Sequence, residues 1–154
     1  MPLLLVRHAK AGTRRDWDGD DRTRPLTRSG WTQARALHGL LRPYGPARLL
    51  SSPYVRCVQT LEPLGEELGL EVESADELAE GRSGKAIVLV RSFVSGPTVA
   101  MSTHGDIVPS VLEALVEEDG LKLPGPPTWP KGSTWVLHAK KGRYVRAQYF
   151  PPPH

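Results

Sequence analysis

Apolar residues along the chain form short continuous runs, and each run ends abruptly at polar residues. Leu3–Val6 leads directly into Arg7-His8, Arg48–Ser52 ends in two hydroxyls, and Thr98–Ser102 leads into Thr103–Gly105. Continuous apolar runs of this length are typical of strands that are buried on both faces of a sheet. We therefore expect three parallel strands whose C-terminal ends meet at one rim, where open α/β sheets place their sites.

Helical patterns separate these strands. The spacing of apolar residues predicts a helix from about Ser29 to Arg42 and a second helix from Pro53 to Gly69, with Pro63 kinking or dividing it. Residues 85–94 contain a run that also fits a strand, but the run over 98–102 follows closely and ends at the polar residues Thr103–Gly105. We therefore favour a helix over 85–94 and a strand over 98–102. The spacing of Val108, Val111, Leu112 and Leu115 predicts a fourth helix.

The remaining segments complete the predicted architecture. Glu71–Glu73 fits a short edge strand, and Thr134–Ala139 with Tyr144–Phe150 reads as a β-hairpin around Lys141-Gly142. Pro151–Pro153 is expected to end the ordered chain. We predict an α/β fold, a three-layer α/β/α sandwich with a mostly parallel central sheet, formed by one domain over residues 1–150 and a proline-rich tail over 151–154.

Composition narrows the class of protein. The chain has 154 residues, 39% hydrophobic and 24% charged, which is ordinary for a globular domain. No apolar stretch approaches the roughly 20 residues of a membrane-spanning helix, and Leu3–Val6 is too short for the core of a signal peptide, so we expect a cytoplasmic protein. The single cysteine, Cys57, forms no internal disulfide and cannot build a zinc site alone, and a small buried residue is expected there.

The positive charge of the chain is concentrated at its start. The formal net charge is +3, and residues 1–28 hold seven basic residues against four acidic ones, which accounts for the whole excess. A local anion site fits this distribution better than a long nucleic-acid surface, although a solvated basic loop is the simple alternative. Within this segment Lys10, Arg14 and Arg15 are candidates to line the mouth of such a site.

The polar ends of the three predicted strands supply the candidate chemistry. They would bring together two imidazoles and two guanidinium groups, from Arg7, His8, Arg56 and His104. Arginine presents a planar fork of N–H donors that matches the oxygens of phosphate. Phosphate is therefore the predicted ligand.

Four motifs in order along the chain strengthen this interpretation. They are Val6–Gly12 with its Arg-His pair, Leu26–Ala34, Ser51–Thr60 and Ser102–Gly105. Together they resemble the motifs of the histidine phosphatase superfamily, with Ala9 where that family usually has glycine. The resemblance spans residues 4 to about 112.

The resemblance implies a mechanism. His8 would attack phosphorus and become transiently phosphorylated, while Arg7, Arg56 and His104 would donate to the phosphoryl oxygens, so that neither a metal nor another cofactor is expected. His8 must be unprotonated at the attacking nitrogen, so its other ring nitrogen should donate to an acceptor such as a backbone carbonyl in the loop to Gly12.

A proton donor for the leaving group is also implied. Glu77–Gly84 resembles the family segment that holds an acid before glycines, which favours Glu80 over Asp76 and Glu77; an exposed loop carboxylate is the alternative. Lys10, Ser52 and Gly105 complete the predicted substrate-binding set with Arg7, Arg56 and His104. Ser52 could bind phosphate or cap the helix that follows Pro53.

Several substrates and one non-enzymatic role remain open. The chain has little room for large capping insertions, and an open site of this kind, as in SixA-type phosphohistidine phosphatases, would admit a phosphorylated protein side chain. Arg7–Gly12, Trp17–Asp21 and Arg24–Leu26 also resemble the phosphatase-like half of some bacterial Nudix fusion hydrolases, which makes nucleoside di- and triphosphates candidates. A phosphomutase fits less well, and a non-catalytic phosphate-binding regulatory module is the alternative from another class.

Overall fold

The structure, a computed structural model, describes residues 1–153 and holds one six-stranded sheet flanked by four helices in that range. The strands are β1 Leu3–Arg7, β2 Arg48–Ser51, β3 Val72–Ser74, β4 Val99–Thr103, β5 Thr134–Lys140 and β6 Arg143–Phe150. The helices are α1 Arg28–Leu41, α2 Val55–Leu68, α3 Ser83–Ser92 and α4 Ile107–Asp119. None of these helices is long and apolar enough to cross a membrane.

The strand order β3-β2-β4-β1-β5-β6 brings the predicted polar ends together. The pairings β1–β4, β2–β4 and β2–β3 are parallel, whereas β5 runs antiparallel to β1 and to β6. Arg7 stands opposite Thr103 in the β1–β4 register, so His8 and His104 follow neighbouring strand ends. The predicted mostly parallel sheet is confirmed.

Both faces of the sheet are covered by helices. Successive side chains of β1 point to opposite faces: Leu3 and Leu5 pack in the cluster that contains the buried residues of α3 and α4. Leu4 and Val6 pack in the other cluster, with the buried leucines of α1 and α2. The result is the predicted three-layer α/β/α arrangement.

Residues 85–94 show why a continuous apolar run need not be a strand. In α3 the fully buried residues are Ala86 and Val90, four positions apart, and Val88 between them is 68% exposed. Burial therefore follows the period of a helix with one inward stripe. The favoured helix interpretation is confirmed.

The segment after β2 differs from the prediction in two details. Tyr54 has an extended backbone and precedes α2, so the helix begins at Val55 rather than at Pro53. Pro63 lies inside α2 and does not divide it. The predicted hairpin is present, with positive φ at Lys141 and Gly142 as a tight two-residue turn requires.

The start of α1 is tied to the loop after His8. The Thr27 hydroxyl caps the helix by accepting from the Gly30 N–H at 3.1 Å, and the Thr27 N–H donates to the Lys10 carbonyl at 3.0 Å. A Cβ on Gly30 would lie 1.9 Å from that same Lys10 oxygen. Only glycine allows this approach between the helix and the loop.

We expect Gly30→Ala to lower the free energy of unfolding by about 2–3 kcal/mol, because the added methyl must displace backbone. Gly39→Ala is the matched control on the same helix, since nothing lies within 4 Å of a Cβ there. The control should gain up to about 1 kcal/mol from helix propensity. Urea unfolding measures both, and a neutral Gly30→Ala would contradict the close contact.

Candidate active site

Three buried side chains form the base of a site at the C-terminal ends of β1, β2 and β4. His8 is 5% exposed, Arg56 1% and His104 1%. The two imidazole rings lie 5.6 Å apart between centroids. The structure therefore brings together the histidines and arginine that the three strand ends were predicted to supply.

A hydrogen bond sets the tautomer of His8. Its Nδ1 lies 2.8 Å from the Ala9 carbonyl oxygen, which can only accept, so Nδ1 carries the proton and Nε2 keeps a free lone pair. Burial, opposed by this hydrogen bond and reinforced by the charges of Arg56 and Arg7, lowers the pKa of His8 to about 3. The predicted acceptor is thus a backbone carbonyl, from Ala9 itself rather than from further along the loop.

The Ala9 backbone is held from α2. Its N–H donates to the Thr60 hydroxyl at 2.9 Å, and that hydroxyl donates to the Arg56 carbonyl at 2.7 Å. The Ala9 methyl is fully buried against Leu26 and Ala34. The extra carbon relative to glycine therefore fills a small apolar space beside His8.

His104 is oriented by Ser52. The Ser52 hydroxyl lies 2.8 Å from His104 Nε2, and His104 Nδ1 lies 3.5 Å from a carboxylate oxygen of Glu80. Burial, with the charges of His8 and Arg56, lowers the pKa of His104 to about 3. A neutral imidazole that accepts from Ser52 carries its proton on Nδ1, on the side of Glu80.

Ser52 serves the local backbone as well. Its hydroxyl also accepts from the Tyr54 N–H at 3.3 Å, immediately before α2 begins. The expected cap is absent, since no side chain caps α2, and the Ser52 hydroxyl instead contacts the Tyr54 N–H and His104.

Arg56 is held between two carboxylates. Its Nη2 lies 3.1 Å from both Asp21 Oδ2 and Glu80 Oε1, and its Nη1 donates to the Asp21 carbonyl at 2.8 Å. The Nε of Arg56 is buried and has no hydrogen-bond partner among residues 1–153. A buried donor without an acceptor lowers the stability of the folded state, so we expect a ligand to supply an acceptor for this Nε.

Arg7 shows the same incomplete hydrogen bonding. Its Nη1 donates to the Trp129 carbonyl at 3.0 Å, while its buried Nε has no partner within the described chain. A Cβ on Gly105 would lie 2.7 Å from the Arg7 Cζ. Glycine at 105, in the predicted substrate-binding set, thus leaves the space that the guanidinium of Arg7 occupies.

Glu80 reaches the site on an anchored loop. The Gly81 N–H donates to Asp106 Oδ2 at 2.8 Å, and the Thr103 hydroxyl donates to the Leu78 carbonyl at 2.6 Å. Besides Arg56 and His104, Glu80 contacts Arg14 Nη2 at 3.3 Å. Arg14, a candidate for the mouth, therefore meets the carboxylate that the sequence selected.

Asp21 is a site residue that the sequence did not single out. Burial raises its pKa, but hydrogen bonds and charges from Arg24 and Arg56 outweigh that effect and lower the pKa to about 2. Asp21 therefore stays ionised and acts as a fixed partner of Arg56. The spacing Asp21-x-x-Arg24 in the basic loop was the available signal.

Aromatic residues that the sequence reasoning missed flank this group. The Tyr54 ring lies edge-on to His104 at 4.5 Å and 4.9 Å from the Arg56 guanidinium carbon. The open cleft above the site has a volume of about 650 Å³. Its lining consists of Arg7, Tyr54, Glu80, Gly81, Gly105, Asp106 and Trp129.

Comparison with known proteins identifies the family. The model of the histidine phosphatase superfamily (branch 1) matches residues 3–92. The chain belongs to the histidine phosphatase superfamily. It is 35% identical, over 98% of its length, to an 8-oxo-(d)GTP phosphatase of Mycolicibacterium smegmatis, and spans about half of that curated relative (48%).

Solved structures of two phosphatases share the fold of this chain. A SixA protein from Agrobacterium tumefaciens is 26% identical with a TM-score of 0.77, covering 98% of this chain and 97% of the other. A mycobacterial glucosyl-3-phosphoglycerate phosphatase in complex with VO3 is 18% identical with a TM-score of 0.72, covering 97% and 96%. The expected fold class is thereby established.

The two buried histidines of this superfamily member make its stability depend on pH. A histidine whose pKa is about 3 in the folded state and about 6.5 in the unfolded state favours folding above pH 6.5. As pH falls from about 6.5 to about 3, the unfolded chain takes up protons and the folded chain does not. Each histidine should then remove about 1.4 kcal/mol of unfolding free energy per pH unit.

Urea unfolding between pH 7 and pH 4 measures this slope. His8→Gln should remove about half of the histidine contribution. His38→Gln changes a half-exposed histidine of α1 outside the site and is the control. An unchanged slope in His8→Gln would show that His8 is not held neutral by the fold.

Proposed function

We propose that the chain is a metal-independent phosphatase that transfers the phosphoryl group of its substrate to Nε2 of His8 and then to water. The single observation that carries this proposal is the fixed tautomer of His8 beside two arginines whose buried Nε groups have no partner. A phosphoryl group beside Nε2 supplies hydrogen-bond acceptors for Arg7 and Arg56, and the positive charge of the two arginines stabilises its negative charge in the transition state. Residues 1–153 contain no cluster of three or more potential metal ligands.

The first chemical step forms a phosphorus–nitrogen bond. The lone pair of His8 Nε2 attacks phosphorus, and the bond from phosphorus to the leaving oxygen or nitrogen breaks. The charge on the peripheral phosphoryl oxygens is met by Arg7, by Arg56 and by the Nδ1–H of His104. The leaving group takes a proton from the Glu80 carboxyl group.

The second step returns the enzyme to its starting state. Water attacks the phosphohistidine, Glu80 accepts the proton of the water, and the phosphorus–nitrogen bond breaks to release phosphate and neutral His8.

The first candidate substrate is a phosphohistidine side chain of a protein. The cleft of about 650 Å³ is open to solvent. An open cleft admits a side chain presented on a large partner. The SixA protein of A. tumefaciens, similar over nearly the whole chain, supports this candidate.

The second candidate is a nucleoside di- or triphosphate. It is supported by the 8-oxo-(d)GTP phosphatase of M. smegmatis, the half of which that matches is 35% identical to this chain. The aromatic rings of Tyr54 and Trp129 at the cleft give a base surfaces on which to stack.

The testing experiment measures hydrolysis with chelator present. The panel contains an aryl phosphate, a phosphohistidine peptide, and nucleoside di- and triphosphates, each with wild type and His8→Ala. His8-dependent turnover of one class supports the phosphatase and identifies its substrate. Heat protection by vanadate without any turnover would instead support the non-catalytic phosphate-binding module.

Glu80→Gln tests the proton donor separately. The variant should lose about 10²–10⁴-fold in kcat for substrates with poor leaving groups, because general acid catalysis contributes that much. For an aryl phosphate with an acidic phenol the loss should be far smaller. Equal losses for both substrates would remove Glu80 from the role of proton donor.

A further inference from the structure

A glutamine clamp joins two lysine-bearing segments beside His8. Gln33 Oε1 accepts from the Lys10 N–H at 2.9 Å, and Gln33 Nε2 donates to the Lys131 carbonyl at 3.4 Å. Gln33 is 9% exposed, so the clamp lies under the surface. It holds the loop after His8 and the loop before β5 at one position on the rim.

The segment of Lys131 is also tied to the end of β1. The Gly132 N–H donates to the carbonyls of Arg7 at 3.1 Å and His8 at 3.0 Å. Gly132 has φ +87°, and a Cβ there would lie 3.2 Å from the Gln33 amide carbon. The segment that carries Lys131 therefore packs against the backbone of Arg7 and His8, and this packing requires glycine at position 132.

The two lysines are cations without partners. Among the residues that the structure describes, neither Lys10 nor Lys131 lies within 4.0 Å of a carboxylate, whereas Arg14, Arg24 and Arg56 do. Although Lys131 is exposed, partial desolvation of its ammonium group, followed by the charges of Arg7 and Arg24, lowers its pKa. This side of the site thus holds two cations with no carboxylate partner, and both lysines are exposed to solvent. The charge of Lys131 is also one of those that lower the pKa of His8.

We propose that Lys10 and Lys131 form a second anion subsite, which holds the phosphate next to the one attacked by His8 in a substrate with a phosphoanhydride bond. The inference rests on the proposed function, since it places the attacked phosphate at His8. A phosphate monoester or phosphohistidine has no second phosphate for this subsite. The subsite therefore favours nucleoside di- and triphosphates over the other candidate substrates.

Binding to a variant without turnover tests the subsite. We would measure the Kd of pyrophosphate and of orthophosphate by calorimetry with His8→Ala, which lacks the nucleophile that would attack pyrophosphate during the titration. Pyrophosphate should bind about tenfold or more tightly, because a charge-assisted contact contributes about 1.5–3 kcal/mol. Adding Lys131→Met should remove that preference, and adding Lys131→Arg should keep it.

The control removes a lysine far from the site. Lys140 is exposed at the far end of β5, beyond the residue that pairs with the start of β1. Adding Lys140→Met should leave the pyrophosphate preference unchanged. Repeating the titrations at raised salt separates a local contact, which persists, from the general field of the basic loop, which is screened.

The outcomes separate the subsite from the proposed function. Equal affinity for the two anions, or a preference that survives Lys131→Met, overturns the subsite while leaving phosphate binding at His8 intact. Failure of both anions to bind overturns the proposed function together with the subsite. A preference that Lys131→Met abolishes supports the subsite even when no substrate in the turnover panel is hydrolysed.

Discussion

His8→Ala is expected to lower kcat/KM by about 10⁴-fold or more, because removing a covalent nucleophile abolishes the two-step route. No other described residue offers a neutral ring nitrogen in the same place: His104 is turned so that its Nε2 meets Ser52. The residual rate would come from the arginines alone. The loss should appear in kcat rather than in the binding of phosphate.

Two measurements check this prediction. Steady-state kinetics on the best substrate gives the loss, and acid-labile labelling by a phosphoryl donor reports the intermediate directly. Wild type should be labelled at His8, and His8→Ala should not be labelled. His38→Ala, a change of a half-exposed histidine on α1, serves as the control and should keep both label and rate. Label retained in His8→Ala would place the nucleophile elsewhere.

The strands and their polar ends could be predicted because both follow from local patterns. A continuous apolar run such as Leu3–Val6 must be buried on both faces, and parallel pairing then brings the strand ends to one rim. His8 and His104 are therefore neighbours as a consequence of the β1–β4 register. The apolar run of residues 85–94 fits a strand as well as a helix, and only the polar end of the neighbouring run over 98–102 favours the helix.

The partners of these residues could not be predicted, because they come from loops whose paths depend on tertiary contacts. Asp21 meets Arg56 only because a 3-10 turn at Asp21–Thr23 brings its carboxylate over α2. Lys131 reaches the rim through Gly132 and a buried glutamine on α1. Sequence periodicity carries no information on such contacts between loops.

The structure explains why the family motifs contain two glutamines and a threonine. Gln33 and Gln59 each accept a backbone N–H from the loop between β1 and α1, at Lys10 and Leu26, and Thr60 accepts one at Ala9. Each of these side chains accepts a hydrogen bond from a backbone N–H that lies outside the sheet and would otherwise need another acceptor. The motifs therefore encode the shape of the loop around the nucleophile as well as the chemistry.

Arg56→Ala is expected to lower kcat by about 10²–10³-fold, equivalent to about 2.7–4 kcal/mol of transition-state stabilisation. The guanidinium is fully buried, and its unpartnered Nε is a preorganised donor that water at the surface cannot replace. Arg56→Lys should recover only a small part of the rate, because an ammonium group keeps the charge without the planar fork.

The same substitution should also destabilise the fold. Arg56→Ala removes the buried cation between Asp21 and Glu80 and leaves only the exposed Arg14, whose Nη2 lies 3.4 Å from Asp21 and 3.3 Å from Glu80, to offset the repulsion of the two carboxylates. Asp21 keeps Arg24 at 2.9 Å, and both carboxylates remain partly exposed, so the cost should be below the roughly 3–5 kcal/mol of a fully buried broken pair. Unfolding by urea measures this cost separately from the rate.

Arg91→Ala provides the matched control for Arg56→Ala. Arg91 joins α3 to α4 through Glu118 and Asp119 and lies outside the cleft, so its removal changes an ion-paired arginine without changing the site. Its kcat should stay within about threefold of wild type, the scale of a remote surface change. If Arg56→Ala loses no more rate than Arg91→Ala, the rate of phosphoryl transfer does not depend on Arg56. The interpretation of the three strand ends as a phosphate site would then be wrong.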